Sequence, residues 1–283
     1  MSRPCSRFSV RARGILRAMC LVRGHLVSYV DLTCSFLRDG VRMPDMAKST
    51  LDLQRIEYAV VCLRNRLHFR LQTKDLTFAR KIFCLGPAKT GTLSLHKMFS
   101  HSGLRSAHQS GNWTTRDFDC FSDRGDYRPF DLYDQTYQNA QFVLNCRGLR
   151  NYLQSLGTHL QMRLPDYVGK GLRPQYFINQ ALRRHQHHLN VLRYFRQREN
   201  LLVVNIERAG AMDFIADRLD LRPLAQSHLH KTTSTMLDLS RASLQTAIDR
   251  LGLNGADSDP LLLPNRLPSD YATLLPPAKR VWL

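Results

Sequence analysis

Residues 86 to 92 read Gly-Pro-Ala-Lys-Thr-Gly-Thr, directly after the apolar run Lys81-Ile82-Phe83-Cys84-Leu85. Small residues between a strand and a helix make a cradle for an anion. The first N–H groups of such a helix have no intrahelical partner, and the helix dipole adds partial positive charge beside them. Gly91 lets the backbone approach an anion without a Cβ in the way. Thr90, Thr92 and Ser94 offer hydroxyl donors, and Lys89 offers an ammonium from within the loop. Gly86 and Gly91 have the spacing of the nucleotide-triphosphatase loop G-x-x-x-x-G-K-[ST], but the lysine does not. Lys89 precedes the second glycine and Thr92 follows it, so no lysine leaves the first helical turn toward β- and γ-phosphates. This counts against ATP or GTP hydrolysis. The same residues also suit a plain strand-to-helix turn.

A second pair stands further on. Arg147 follows the apolar run Gln141-Phe142-Val143-Leu144-Asn145, and Ser155 comes eight residues later, about two helical turns along. In a parallel sheet the carboxyl ends of neighbouring strands face a common crevice, where an arginine fork and a hydroxyl can grip a phosphate. Charge-assisted bonds of this kind contribute about 1.5–3 kcal/mol each. The alternative is an arginine paired with a nearby acid and a serine on an exposed helix face.

The elements that must position these residues are legible as periodicity. A third apolar run, Leu201-Leu202-Val203-Val204-Asn205-Ile206, joins the other two. All three are apolar almost throughout rather than alternating, as strands covered on both faces are. Helices are expected over Thr92 to Ser100 and Leu149 to Gln161. Ile178, Leu182, Leu189, Leu192 and Phe195 mark a third helix, with Arg183, Arg184, His187 and Arg193 facing outward or toward ligand. Leu53, Ile56, Val60, Leu63, Leu67 and Leu71 form an earlier helical stripe, with Arg55, Arg64, Arg66 and Arg70 off its apolar face. Alternating strands and helices predict an α/β fold with a mainly parallel sheet flanked by helices. After Gly255 a stretch rich in Pro, Leu and Asp reads as an irregular surface wrap.

Together the two anion motifs resemble the family of sulfotransferases that use 3′-phosphoadenosine-5′-phosphosulfate (PAPS), in its bacterial-type branch. Lys89-Thr90-Gly91-Thr92 matches a K-x-G-T-type loop, and Arg147 with Ser155 matches the family's arginine-and-serine pair. Phe142 to Arg147, Arg184-His185-Gln186-His187-His188 and Leu201 to Ile206 follow in the family's order, over residues 80 to 235. Tyr152 stands where the branch has tryptophan, and Gly148 where proline or aspartate is common. The resemblance implies a P-loop-like three-layer sandwich and in-line transfer of a sulfuryl group from PAPS to an acceptor hydroxyl, on a carbohydrate or glycolipid, without a metal. It implies that Ala88, Lys89, Thr90, Gly91, Thr92 and Leu93 hold the phosphosulfate, that Arg147 and Ser155 hold the 3′-phosphate, and that Lys89 assists the leaving oxygen. Asp117 to Asp123 is similar to an acidic stretch upstream of the second motif, so the resemblance makes Asp123 the first candidate base, Asp119 the second and His108 the third. The same acids also suit pairing with Arg116, Arg124 or Arg128. His228-Leu229-His230-Lys231 sits where the family has a loop closing over the site.

Composition bounds the rest. In 283 residues the formal net charge is +18, which predicts a polyanionic partner: a nucleotide, nucleic acid, an acidic glycan or an anionic membrane surface. A nucleic-acid- or polyanion-binding protein without turnover is the alternative function, resting on that charge and on the arginines between 183 and 198. No recognition-helix or RNA-binding motif supports it, so no specific nucleic acid is expected. The seven cysteines include no C-x-x-C pair and read as small buried thiols in a reducing, cytoplasmic setting. No apolar stretch reaches the length of a membrane span. Residues 1–48 form a basic leader, with six arginines before the first acid at Asp31, and residues 49–283 the catalytic domain. Such a leader suits a transit peptide, a membrane-surface helix or a solvated tail.

Overall fold

A computed structural model describes residues 46–71, 80–108, 118–163, 171–221, 236, 238–253 and 260–283. The chain divides into two units between Thr50 and Leu51, and the sheet with its covering helices belongs to the second. The leader and the segment His228 to Lys231 lie outside the described residues, as does Asp117.

The three apolar runs become the centre of a six-stranded sheet. Strands β1 (Ile82–Cys84), β2 (Ser106–His108), β3 (Cys120–Ser122), β4 (Gln141–Cys146), β5 (Leu201–Asn205) and β6 (Val281–Trp282) lie in the order β2-β3-β1-β4-β5-β6. Every neighbouring pair is parallel. Helices α1 (Met46–Leu71), α2 (Thr92–His101), α3 (Phe130–Thr136), α4 (Leu149–Arg163), α5 (Pro174–Phe195), α6 (Ala211–Arg218), α7 (Asp238–Arg250) and α8 (Tyr271–Leu274) complete the fold.

The apolar strands alternate between two cores. Phe83, Leu85, Phe142, Leu144, Leu201 and Val203 face a layer holding Phe69 of α1, Tyr133 of α3 and Leu189, Leu192 and Phe195 of α5. Ile82, Cys84, Val143, Leu202 and Val204 face Leu95, Met98 and Phe99 of α2 and Ala211, Met212 and Ile215 of α6. Cover on both faces is why these strands carry no polar alternation. From β1 the chain crosses by α2 to β2 on one side, whereas from β4 it continues by α4 and α5 to β5 on the other. The carboxyl ends of β1 and β4 therefore flank the point where strand order reverses, the place where open parallel sheets bind ligands.

Three local expectations are corrected. The apolar stripe of α1 faces outward: Ile56, Val60, Leu63, Leu67 and Leu71 are 43–86% exposed. The opposite face packs instead, because it presents groups with defined partners on the segment before and within α3. Tyr58 donates to the Asp126 carbonyl (2.5 Å), Asn65 to the Tyr127 carbonyl (2.8 Å), Arg66 grips Asp131 through two bonds, and the ring of Phe69 meets Tyr133. On α5, Arg184 and His187 are buried rather than turned to solvent or ligand. This helix lies between the sheet and α4 with α7, so two of its faces are covered. Arg184 spends its Nη2 on the carbonyls of Arg147 and Pro260, and His187 Nε2 lies 2.7 Å from the Leu85 carbonyl. Finally, the irregular tail contributes β6, in register with Val203 and Val204.

Candidate functional site

The loop after β1 is built from inside. Asn145, the penultimate residue of β4, is fully buried; its Oδ1 accepts from the Gly86 N–H (2.9 Å), and its Nδ2 donates to the Thr90 carbonyl (2.9 Å) and hydroxyl (2.7 Å). Thr90 in turn donates its hydroxyl to the Pro87 carbonyl (2.6 Å). That hydroxyl is thus spent inside the loop and does not reach toward ligand. Gly86 is required here, since a Cβ would stand 2.2 Å from the Asn145 carbonyl oxygen. Lys89 (φ 71°) and Gly91 (φ 81°) both adopt the left-handed backbone that brings the chain round to Thr92 at the start of α2. A non-glycine residue in that region is costly and is held there only by well-determined surroundings.

A second strained turn is stitched to the first. Asp123 (φ 78°) and Arg124 (φ 54°) leave β3 left-handed, and the Gly125 N–H donates to the Gly86 carbonyl (3.1 Å). Gly125 packs so tightly on the end of β1 that a Cβ would lie 2.3 Å from the Leu85 carbonyl carbon. This turn sets Asp123, buried, within electrostatic reach of Lys89. Burial lowers the Lys89 pKa, Asp123 opposes that shift and Arg163 reinforces it.

On β2, His108 belongs to the same group. Its Nδ1 lies 3.1 Å from Ser122 Oγ, and Ser122 gives its own proton to the Ala107 carbonyl (3.3 Å). The serine oxygen must then accept, which assigns the His108 proton to Nδ1 and leaves the lone pair on Nε2. Burial lowers the His108 pKa; Asp123 raises it, and His96 and Lys89 push it down further. The ring is therefore neutral at pH 7. His159 of α4 is pushed down to about 4, by burial first and then by Lys89, Arg163 and Arg124.

The second motif meets the first directly. Arg147 Nη1 donates to the Lys89 carbonyl (3.1 Å) across 58 residues of sequence. Its other edge, Nε and Nη2, grips Glu207 Oε1 at 3.1 and 2.7 Å. Ser155 is half-buried on α4 and makes no hydrogen bond to either partner among the described residues. Asp119 is not brought here. It precedes β3 at the opposite edge of the sheet, fixed to Arg105 by bonds at 2.8 and 3.0 Å. The acid pairs as an acid there can, with an arginine other than Arg116, Arg124 or Arg128.

Asn145, Glu207 and His159 went unrecognised as site residues. Asn145 sits inside a run read as hydrophobic, where only a polar residue interrupting the run signals a role. Glu207 follows Asn205-Ile206 immediately and could have been found as the acid beside a strand's carboxyl end.

Among the described residues no group of His, Cys, Asp or Glu is arranged to hold a metal ion, and no helix is long and apolar enough to cross a membrane. No family model, curated protein or solved structure matches the chain.

Proposed function

We propose that this protein is a P-loop-like sulfotransferase, moving a sulfuryl group from PAPS to an acceptor hydroxyl, on a carbohydrate or glycolipid. The observation that carries the reading is the hydrogen bond from Arg147 to the Lys89 carbonyl. It joins the loop suited to a 5′-phosphosulfate to the arginine suited to a 3′-phosphate, at the switch point of a parallel sheet.

In this reading the N–H groups of Thr92 and Leu93 at the start of α2 hold the phosphosulfate, with Ala88 and Gly91 leaving the backbone clear. Arg147 takes the 3′-phosphate, with Ser155 two turns along α4. The acceptor oxygen attacks sulfur in line, the bond from sulfur to the bridging oxygen breaks, and 3′,5′-adenosine bisphosphate leaves carrying the negative charge. The Lys89 ammonium meets charge growing on that bridging oxygen. The acceptor's proton goes to a base within hydrogen-bond reach. His108 suits this better than Asp123, because its Nε2 is the unprotonated nitrogen and its depressed pKa keeps it so at neutral pH. Asp123 serves as the countercharge between imidazole and ammonium.

The polyanion-binding alternative keeps the net charge of +18 but draws less from the arginines between 183 and 198. Arg183 pairs with Asp126, Arg196 with Asp270 and Arg198 with Asp134, and Arg184 is buried. These four arginines are thus engaged with groups of the chain itself.

A thermal-shift comparison of 3′,5′-adenosine bisphosphate, PAPS, ATP and 5′-AMP tests the binding half. Stabilisation by the first two should exceed that by ATP and AMP, and Arg147→Ala should erase the preference. Indifference of the wild type to the 3′-phosphate sinks the reading. Labelled-sulfate transfer to a panel of sugar acceptors tests the reaction. His108→Gln should there lower kcat by about 10²–10⁴ while leaving bisphosphate affinity alone.

A further inference from the structure

Glu207 is a lone acid after β5, yet its carboxylate is one of the most heavily bonded groups of the site. Oε1 accepts from Arg147 Nε (3.1 Å), Arg147 Nη2 (2.7 Å) and Asn151 Nδ2 (3.1 Å); Oε2 accepts from the Gly148 N–H (2.9 Å) and again from Asn151 (3.2 Å). Burial by itself would raise the Glu207 pKa, but the Arg147 bonds and charge, the Gly148 N–H and Asn151 outweigh it and hold the carboxyl ionised.

A carboxylate lying on the arginine expected to grip phosphate has two opposite readings. It is a rival anion that a ligand must displace, or it is the fixture that aims the arginine. The donor count separates them. A guanidinium has five N–H donors. Glu207 takes one from Nε and one from Nη2, and the Lys89 carbonyl takes one from Nη1, so two are left, one on each terminal nitrogen. An anion can therefore be met by Arg147 without moving Glu207. Displacing the carboxylate would instead strip the backbone N–H of Gly148 and the Asn151 amide of their partner together, at the very entry to α4.

We propose that Glu207 is a positioning residue: it locks the plane of Arg147 between the end of β5 and the Lys89 carbonyl, and so fixes the spacing between the two phosphate subsites. This rests on the sulfotransferase reading only in assigning the 3′-phosphate to Arg147. The consequence is a specificity effect. Loss of Glu207 leaves the 5′ side of the ligand held by the loop, and blurs only the recognition of the 3′-phosphate.

The test measures the ratio of the 5′-AMP dissociation constant to that of 3′,5′-adenosine bisphosphate, calorimetrically on the full chain. Glu207→Gln keeps the size of the side chain but turns one oxygen into a donor facing Gly148 and Asn151. It should reduce the ratio of the two constants at least about tenfold, the worth of a charge-assisted hydrogen bond, with 5′-AMP affinity unchanged. Asn151→Leu, at an exposed position on α4, removes one prop of Glu207 without touching Arg147. It should reduce the ratio in the same direction by less, and it carries the test if the Gln variant does not fold. An unchanged ratio in either folded variant overturns the proposal, and a raised ratio makes Glu207 the rival anion instead. A wild type with no discrimination fails the sulfotransferase reading itself. Discrimination lost in Arg147→Ala but kept in Glu207→Gln fails this inference alone.

Discussion

The two edges of the sheet carry the same kinds of residue to different ends. At the amino edge, Lys81 before β1 lies beside Asp119 before β3. Lys81 is 2% exposed, donates to the Phe118 carbonyl (2.7 Å) and sits 4.0 Å from Asp119, which Arg105 holds through its backbone N–H and its guanidinium. At the carboxyl edge, Lys89 after β1 lies beside Asp123 after β3, both on left-handed backbone. One lysine–aspartate pair is saturated by neighbours, on relaxed backbone. The other is held in costly conformations by Asn145, Gly86 and Gly125, with burial depressing its lysine and, among the described residues, no such network consuming its ammonium. Strain persists where surrounding structure enforces it, and such places are enriched in function. On that ground we read the saturated pair as structural and propose the strained one as the working pair.

Lys89→Met against Lys81→Met breaks this comparison most directly. Lys89→Met should lower kcat for sulfuryl transfer by about 10²–10³, the cost of losing one charge-stabilising donor, with the melting temperature little changed. Lys81→Met should do the reverse: it strands the Phe118 carbonyl and costs about 1–3 kcal/mol of stability, while turnover per folded molecule is kept. Equal loss of turnover in both would dissolve the distinction. The aspartates give the next largest contrast. Asp123 raises the His108 pKa, so Asp123→Asn should shift the acidic limb of kcat/KM to lower pH and reduce the rate about tenfold, a fraction of what a general base contributes. A loss of several hundredfold with the limb abolished would instead make Asp123 the base. Asp119→Asn should leave the limb in place.

This contrast explains what the sequence could and could not reveal. The strands were legible because Phe83, Val143 and Leu202 are covered on both faces, and such strands leave uninterrupted apolar runs. The loop is legible because glycine types mark it, although the demands they meet come partly from afar: Gly86 makes room for the Asn145 carbonyl and Gly91 for Ile206. Asp119 and Asp123 are not separable by type, since the three residues of β3 carry one to each end of the strand and nothing in their neighbours' types says where the strand begins. The α1 stripe misled for a related reason. Its exposed face is the more periodic one, but the face that packs does so through Tyr58, Asn65 and Arg66, whose partners lie 60 to 70 residues away and leave no trace in local spacing. Glu207 shows in the sequence only as an acid beside a strand's carboxyl end, since Arg147, Gly148 and Asn151 lie 56 to 60 residues away and leave no trace in local spacing.

A smaller effect separates two glycines of equal conformation. Gly91 at the carboxyl edge and Gly103, after α2 at the amino edge, both have φ of 81°. A Cβ at Gly103 meets nothing within 4 Å, whereas at Gly91 it would stand 2.9 Å from Ile206 Cδ1. Gly103→Ala should therefore cost only the left-handed backbone, about 1–2 kcal/mol in a denaturant melt. Gly91→Ala should cost more than that and weaken bisphosphate binding as well; equal costs with binding intact would remove the loop's special packing.

The smallest expected difference is the most diagnostic of charge. His159 is neutral in the fold, with its pKa near 4 against 6.5 for the free side chain, because burial first, and then Lys89, Arg163 and Arg124 around it, disfavour the imidazolium. Between those two pH values the unfolded chain binds the extra proton, so stability falls as pH drops from 6.5 toward 4. Asp119 behaves otherwise. The Arg105 bonds hold its pKa below the usual 3.8, so its contribution is present above 3.8 and is lost only as pH falls through its own lower value. Melting temperatures followed from pH 7 to pH 3 should show the two edges failing in sequence, the carboxyl edge first. His159→Gln should flatten the upper part of that curve and Asp119→Asn the lower part. If His159→Gln leaves the curve unchanged above pH 4, the cationic crowding at the carboxyl edge is screened by solvent, and the two edges differ in strain but not in charge.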